Sequence, residues 1–114
     1  MIIVLTAYPG RKSADAAARR IVQADLAACI NILRIETSIF KWEGKLKEGA
    51  EFLLIIKARA ANYEKLESAI RENHPYELPE IIRIPIDGGF APYLDWVERT
   101  GEAGFTTGPR SKRS

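Results

Sequence analysis

The residues best suited to chemistry lie in one octapeptide, His74-Pro75-Tyr76-Glu77-Leu78-Pro79-Glu80-Ile81, which holds the single histidine of the chain. Histidine titrates near neutral pH, so His74 could form an acid/base pair with Glu80 or bind a metal. A structural interpretation is favoured, in which His74 ends a helix and its cation faces the negative end of the helix dipole. The two prolines fix φ and remove two backbone donors, so we expect an ordered connector.

Two other features could bind a ligand, and for both the structural interpretation is favoured. Cys29 could be a soft metal ligand or a redox thiol, but at the start of an alternating apolar strand we expect it to be buried. The turn at residues 8–13 ends a strand and opens a helix, so its free N–H groups, with Arg11 and Lys12, could hold a phosphate or carboxylate. Such turns are common, and we expect the basic pair to be solvated.

The composition bounds the class of protein. The 114 residues, 46% of them hydrophobic, fit one domain with its own core. Seventeen basic against fifteen acidic residues give a net charge of +2, which is too balanced for a general nucleic-acid or membrane-surface protein. The first residues lack the features of a secretory signal. A single cysteine excludes an internal disulfide and a Cys-rich zinc site, so we expect a cytoplasmic protein that needs no cofactor to fold.

Hydrophobic periodicity predicts a βαββαβ order followed by a terminal helix. The predicted strands are residues 2–7, 29–42, 51–59 and 81–86, with a turn at 43–45 and with Pro85 placing the last strand at a sheet edge. The first helix is expected to be capped by Ser13 and the second by Asn62, and a short third helix is expected at 93–97. We expect one domain over residues 1–101 and a flexible tail over 102–114. This order is typical of an α+β, ferredoxin-like sandwich.

The long second strand is apolar on both faces, which predicts an oligomer. Leu33, Ile35 and Ile39 share one face by strict alternation, while Ile30 and Ile32 share the other. Two helices cover only one face of such a sheet, so we expect the other face to be an interface. Residues 29–41 at about 3.3 Å each would span roughly 43 Å. A domain of this length has a radius of gyration of only about 13 Å, so the hairpin tip should project beyond it.

Several separated stretches of the chain together match one family. They are Leu26-Ala27-Ala28-Cys29-Ile30-Asn31-Ile32, Ser38-Ile39-Phe40-Lys41-Trp42-Glu43-Gly44-Lys45, Glu51 with Lys57, the octapeptide at 74–81, and Tyr93-Leu94-Asp95-Trp96. In these the chain resembles the CutA divalent-cation tolerance proteins from residue 2 to about residue 97. The resemblance implies a PII-like trimer intertwined through long hairpins, with a role in tolerance to divalent metals, copper above all, and no established reaction.

The resemblance also bears on metal binding. Some members of the family have a cysteine in the first strand and a second histidine before the Pro-Tyr pair, both implicated as copper ligands. Those positions here hold Leu5 and Asn73. His74 remains as the candidate ligand, and a transition metal needs further converging donors. We therefore expect at most weak binding of Cu(II) or another divalent metal.

An intersubunit cleft of the implied trimer is the best candidate site for a metal or a small molecule. The residues predicted to line it are Glu36, Lys57, Tyr76, Glu77 and Glu80. Exposed apolar side chains near a hairpin tip are costly unless another subunit covers them. The predicted trimer contacts are Ile39, Phe40, Trp42 and Trp96.

Three functions stay open at this point. The preferred one is a non-enzymatic trimeric scaffold or sensor, whose partners are itself and a metal or small ligand, with no nucleic acid or membrane. The alternative is a small acylphosphatase-like hydrolase using Arg11 and Asn31, although the glycine-rich phosphate loop of that enzyme is missing. The third, an RNA-binding module, would need aromatic residues on the central strands, where the chain offers Tyr8 and Phe52.

Overall fold

The computed structural model of the protein describes residues 1–103 and 105. In chain order the elements are β1 (Ile2–Tyr8), α1 (Arg11–Gln23), β2 (Cys29–Trp42), β3 (Lys45–Ala58), a 3-10 turn (Ala60–Asn62), α2 (Tyr63–Glu72), β4 (Ile81–Pro85) and α3 (Ala91–Glu98). The strands form one antiparallel sheet in the order β2-β3-β1-β4. The predicted ferredoxin-like α+β fold, with its long hairpin, edge strand β4 and C-terminal helix, is confirmed.

The core lies between one face of the sheet and the helices α1 and α2. Side chains alternate along a strand, so the paired residues Val4 and Ile56 share this face with the pair Thr6 and Leu54. All four are fully buried. From the helices, the core receives small and branched residues at helical spacing, namely Ala14, Ala17, Ala18, Ile21, Leu66 and Ile70.

The opposite face of the sheet remains apolar and partly exposed. On this second face Leu33 of β2 pairs with Leu53 of β3. Ile82 and Ile84 of β4 lie on it too, because they pair with Leu5 and Ile3, the β1 residues that alternate with the buried Val4 and Thr6. Leu33, Ile82 and Ile84 are 45%, 47% and 39% exposed. Cys29 lies on the same face and is partly exposed, so the expectation of a buried cysteine is wrong for the single chain.

The hairpin of β2 and β3 projects from the domain. Each strand has 14 residues, and β3 begins at Lys45, earlier than predicted, because residues 45–49 pair with the outer half of β2. The turn residues Glu43 and Gly44 have φ values of 51° and 77°, as a type I′ hairpin turn requires. The molecule measures 50 × 29 × 27 Å, and its radius of gyration of 15.4 Å exceeds the roughly 13 Å of a compact chain.

The predicted strict alternation of side chains along β2 is wrong beyond Ile35, because the strand contains a β-bulge there. Ile35 pairs with Glu51 and Ser38 with Gly49, so two residues of β2 oppose a single residue of β3. The side-chain alternation therefore shifts by one beyond the bulge. Phe40 and Trp42, rather than Ile39, continue the second face that Leu33 and Ile35 begin.

The predicted helix caps are also corrected. α1 begins at Arg11 behind an extended Gly10, and the Ser13 hydroxyl donates a hydrogen bond to the Gly10 carbonyl, 3.1 Å away, instead of capping the helix. Asn62 does precede α2, but its side chain reaches the carbonyl of Asp25 at 3.4 Å and makes no capping bond. Gly10 therefore occupies the N-cap position of α1, and neither helix has the side-chain cap that was expected.

The predicted flexible tail falls largely outside the described residues, since 104 and 106–114 are not described. Of its described part, Glu102 forms an ion pair with Arg99 at 3.0 Å, and the Arg99 guanidinium lies 4.3 Å from the centre of the Phe105 ring. In the described part of the chain, no helix has the length and apolar character needed to cross a membrane.

Candidate functional site

An open groove of about 770 Å³ runs between the hairpin and the octapeptide. β2 and β3 form one wall, and the connector between α2 and β4 forms the other. The lining residues are Ala7, Ser38, Ile39, Phe40, Trp42, Lys47, Glu51, Pro75, Tyr76, Glu77, Leu78 and Glu80. The volume falls within the usual range of small-molecule sites.

The connector is tied to the hairpin by one strong hydrogen bond. The Tyr76 hydroxyl donates to Oε2 of Glu51 on β3, at 2.7 Å. Partial burial, this bond and the charge of Glu51 together raise the pKa of Tyr76 to about 12. Sequence reasoning placed Tyr76 in a cleft but missed Glu51 as its partner, although both residues lie in stretches that match the family. A pairing over 25 residues leaves no periodic signal in the sequence.

His74 is fixed by three contacts beside the groove. Its Nδ1 accepts a hydrogen bond from the backbone N–H of Tyr76 at 3.1 Å, so Nε2 carries the proton and donates to the Ala7 carbonyl at 2.9 Å. The ring stacks on Tyr8, with 4.2 Å between the ring centres. Burial lowers the pKa of His74, although its bond to Ala7 and the charge of Glu51 oppose the effect. His74 is therefore neutral at pH 7, and its predicted role as a helix-dipole cation is wrong.

This arrangement bears directly on metal binding. Both imidazole nitrogens of His74 are engaged within the chain, so a metal would have to displace the N–H of Tyr76 from Nδ1. No group of three or more His, Cys, Asp or Glu side chains converges anywhere in the described residues. A transition metal needs several such donors together. The donor set of a single chain does not fit a metal site.

The structure brings together some of the predicted site residues and leaves others apart. The groove unites Tyr76, Glu77 and Glu80 with three of the predicted trimer contacts, Ile39, Phe40 and Trp42. The remaining four residues, Glu36, Lys57, His74 and Trp96, do not line it.

The separate residues have positions of their own. Lys57 donates from Nζ to Oδ1 of Asn31 on the second sheet face, and it lies six residues, or roughly 20 Å, along β3 from Glu51. Glu36 is exposed at the bulge. Trp96 lies in α3, where its ring centre is 5.8 Å from that of Tyr93.

The residues that suggested other functions are not arranged for them. The Arg11 guanidinium lies 5.1 Å from the centre of the Phe52 ring, which faces the helices. Asn31 lies on the opposite face of the sheet, so these two side chains do not meet as an acylphosphatase-like site requires. Tyr8 and Phe52 are buried in the core, where no base could stack on them.

The sheet order, the helices on one face and the projecting hairpin beside the groove define a ferredoxin-like protein of the PII-like class. Within that class, the chain belongs to the CutA1 divalent ion tolerance protein family, whose pattern matches residues 2–100. The chain is 41% identical over 99 residues to the chloroplastic Protein CutA of Arabidopsis thaliana. That match covers 87% of this chain and 54% of the relative, so the chain spans about half the length of that protein.

Solved structures agree with this assignment. The chain is similar to the periplasmic divalent cation tolerance protein CutA from Archaeoglobus fulgidus, with a TM-score of 0.84 and 35% identity over 88% of this chain and 98% of that one. It is similar also to the PII-like protein CutA from Nostoc sp. PCC 7120 in its apo form, with a TM-score of 0.81 and 35% identity over 86% and 94% of the two chains.

Proposed function

We propose that this divalent-cation tolerance family protein is a homotrimeric scaffold or sensor that binds a small ligand in the groove between its hairpin and its connector. The observation that carries the proposal is the groove itself. Its two walls are joined by the bond between Tyr76 and Glu51, and its open side is bordered by exposed apolar residues of the hairpin. Such concave sites with a few fixed polar groups are the usual form of ligand sites.

The exposed apolar surface supports the oligomer. On the hairpin, Ile39 is 66% exposed, Leu46 is 74% exposed and Trp42 is 47% exposed. Trp42 extends the apolar second face of the sheet, while Ile39 and Leu46 lie on the opposite side of the hairpin. Exposed apolar surface on both sides of a projecting hairpin is typical of an interface. The neighbouring hairpins would also cover the free strand edges of β2 and β4, which otherwise invite aggregation.

Assembly would complete the groove. Glu36 and Lys57 lie outside the groove of their own chain. In the trimer they would line the groove of a neighbouring subunit. Trp96 is proposed as a further contact between subunits. In this arrangement the ligand would lie between subunits, so that binding and assembly would stabilise each other.

Analytical ultracentrifugation tests the oligomer. We expect a trimer at low micromolar concentration and a weaker trimer in Trp42→Ala, because the substitution removes a large apolar contact. Val22→Ala is the matched control, since Val22 is an exposed apolar residue on α1, away from the hairpin. A stable wild-type monomer, or equal dissociation of the two variants, would contradict the proposal.

A divalent metal such as Cu(II) is the second candidate ligand, supported by the family and by His74 beside the groove. Because one chain does not supply the donors, further ligands would have to come from Glu77, Glu80 or a neighbouring subunit. Calorimetric titration with Cu(II) should show weak binding to the wild type and weaker binding to His74→Ala. Equal affinities would remove His74 as a ligand.

We further propose that the protein acts in the cytoplasm and without catalysis. Its single cysteine supports a reducing compartment. The separation of Arg11 and Asn31 on opposite sheet faces weighs against the acylphosphatase-like alternative. Cell fractionation tests the location. An acylphosphate hydrolysis assay with the purified protein should show no turnover above the spontaneous rate.

A further inference from the structure

The groove carries an excess of negative charge. Its lining contains three carboxylates, Glu51, Glu77 and Glu80, and one cation, Lys47, which leaves a net charge of two negative units at neutral pH. Among the described residues, none of these four side chains forms an ion pair. Glu51 accepts a hydrogen bond from the Tyr76 hydroxyl. The field in the groove therefore favours a positive ligand.

Three aromatic rings accompany the carboxylates. Phe40, Trp42 and Tyr76 line the groove, and in the single chain each is substantially exposed to solvent. Aromatic faces attract cations through the ring quadrupole, most strongly in tryptophan. Ile39 and Leu78 add aliphatic surface. The groove thus offers carboxylates that would attract a positively charged group of a ligand and apolar walls that would contact its hydrocarbon part.

Other ligand classes fit this lining less well. An anion would meet three carboxylates and a single lysine. A metal ion finds no converging donor cluster in the described residues. A neutral apolar molecule would use the rings but would leave the carboxylates desolvated without compensation.

We propose that the groove takes an organic cation, an alkylated ammonium group on a small apolar body, held by Trp42 and Phe40 and by the carboxylates of Glu77 and Glu80. The inference rests on the proposed function, because it names the ligand class of the same groove. In the assembled protein, exclusion of water by neighbouring subunits strengthens the attraction between cation and ring.

Choline and 3,3-dimethylbutanol test the charge requirement, because they have nearly the same shape and differ in charge. The intact protein is labelled with ¹⁵N, and the indole N–H signals of its two tryptophans are followed. Choline should shift the Trp42 signal, while Trp96, outside the groove, serves as the internal control. We expect the neutral alcohol to bind at least about tenfold more weakly, and we expect salt to weaken choline binding alone.

Charge variants give effects of opposite sign. Glu77→Gln and Glu80→Gln should each weaken choline binding by about three- to tenfold, and Lys47→Gln should strengthen it by about threefold. Glu64→Gln is the matched control, since Glu64 is an exposed carboxylate on α2 that does not line the groove. Sedimentation confirms that each variant keeps the assembly of the wild type.

The outcomes separate this inference from the proposed function. Equal affinity for choline and the alcohol, absence of choline binding, or insensitivity to all three charge variants overturns the organic cation. If a neutral or anionic compound then shifts the Trp42 signal, the groove is still a ligand site. A monomer in sedimentation overturns the trimeric scaffold, whatever binds in the groove.

Discussion

The hydrogen bond between Tyr76 and Glu51 gives the most quantitative prediction. Tyr76→Phe keeps the ring in the groove and removes only the hydroxyl, while Glu51→Gln removes the charge but keeps the shape. Hydrogen bonds to charged groups contribute about 1.5–3 kcal/mol. The rise of the Tyr76 pKa from 10.0 to about 12 corresponds to roughly 2.7 kcal/mol before solvent screening, but burial is its largest cause, so only part of that energy belongs to the bond. Because Tyr76 is 36% exposed, we discount this to about 1 kcal/mol.

A double-mutant cycle measures that energy directly. Urea unfolding of the wild type, both single variants and the double variant, at one fixed protein concentration, should give a coupling free energy of about 1 kcal/mol. The pH dependence has a definite sign. The folded protein holds the Tyr76 proton more tightly than the unfolded chain, so this stabilisation is complete below pH 10 and is lost as the pH rises through about 12. A coupling energy indistinguishable from zero would refute the bond as a link between the two walls.

Three further predictions concern the hairpin, the core and the histidine. Glu43→Asn should raise the free energy of unfolding by about 0.5–1 kcal/mol in urea titrations, because asparagine tolerates the positive φ of this turn better. Leu54→Ala should lower it by about 2–5 kcal/mol, since Leu54 is fully buried. The folded pKa of His74 is lowered, so its neutral form contributes stability above pH 6.5 that declines as the pH falls through the folded pKa; His74→Gln should flatten that dependence.

Much of the fold follows from periodicity in the sequence. Alternation identified β2 with its observed bounds, and helical spacing identified the buried faces of α1 and α2. The first residues of β3 escaped prediction because Lys45-Leu46-Lys47-Glu48-Gly49-Ala50 is polar and contains a glycine. Pairing with the outer half of β2 makes this segment a strand, and such tertiary support overrides local propensity.

The site was predictable only in part, since its decisive contacts join distant parts of the chain. The sequence predicted that Tyr76, Glu77 and Glu80 lie in one connector beside a cleft, and in the structure all three line the groove. The protonation state of His74 depends on a carbonyl 67 residues away and could not be derived from its neighbours. The second half of β2 was assigned to the wrong face for a similar reason, because a bulge has no clear signature in the sequence.

The bulge in β2 also sets a rule for how this hairpin can change length. Beyond Ile35 the bulge turns Phe40 and Trp42 toward the side of the sheet that Leu33 occupies, so apolar side chains recur on that side from the domain to the tip. Removing one of the two bulge residues would restore regular pairing and leave those rings on the same side, because each keeps its partner on β3. A slip of the outer arm by one residue would instead present Ile39 and Lys41 on that side. Insertions beyond the bulge would preserve this apolar side only if both strands gained two residues together, because the side-chain period of a strand is two residues. The hairpin can therefore lengthen by two residues per strand at a time, but its strands cannot shift register by one residue without losing the apolar side.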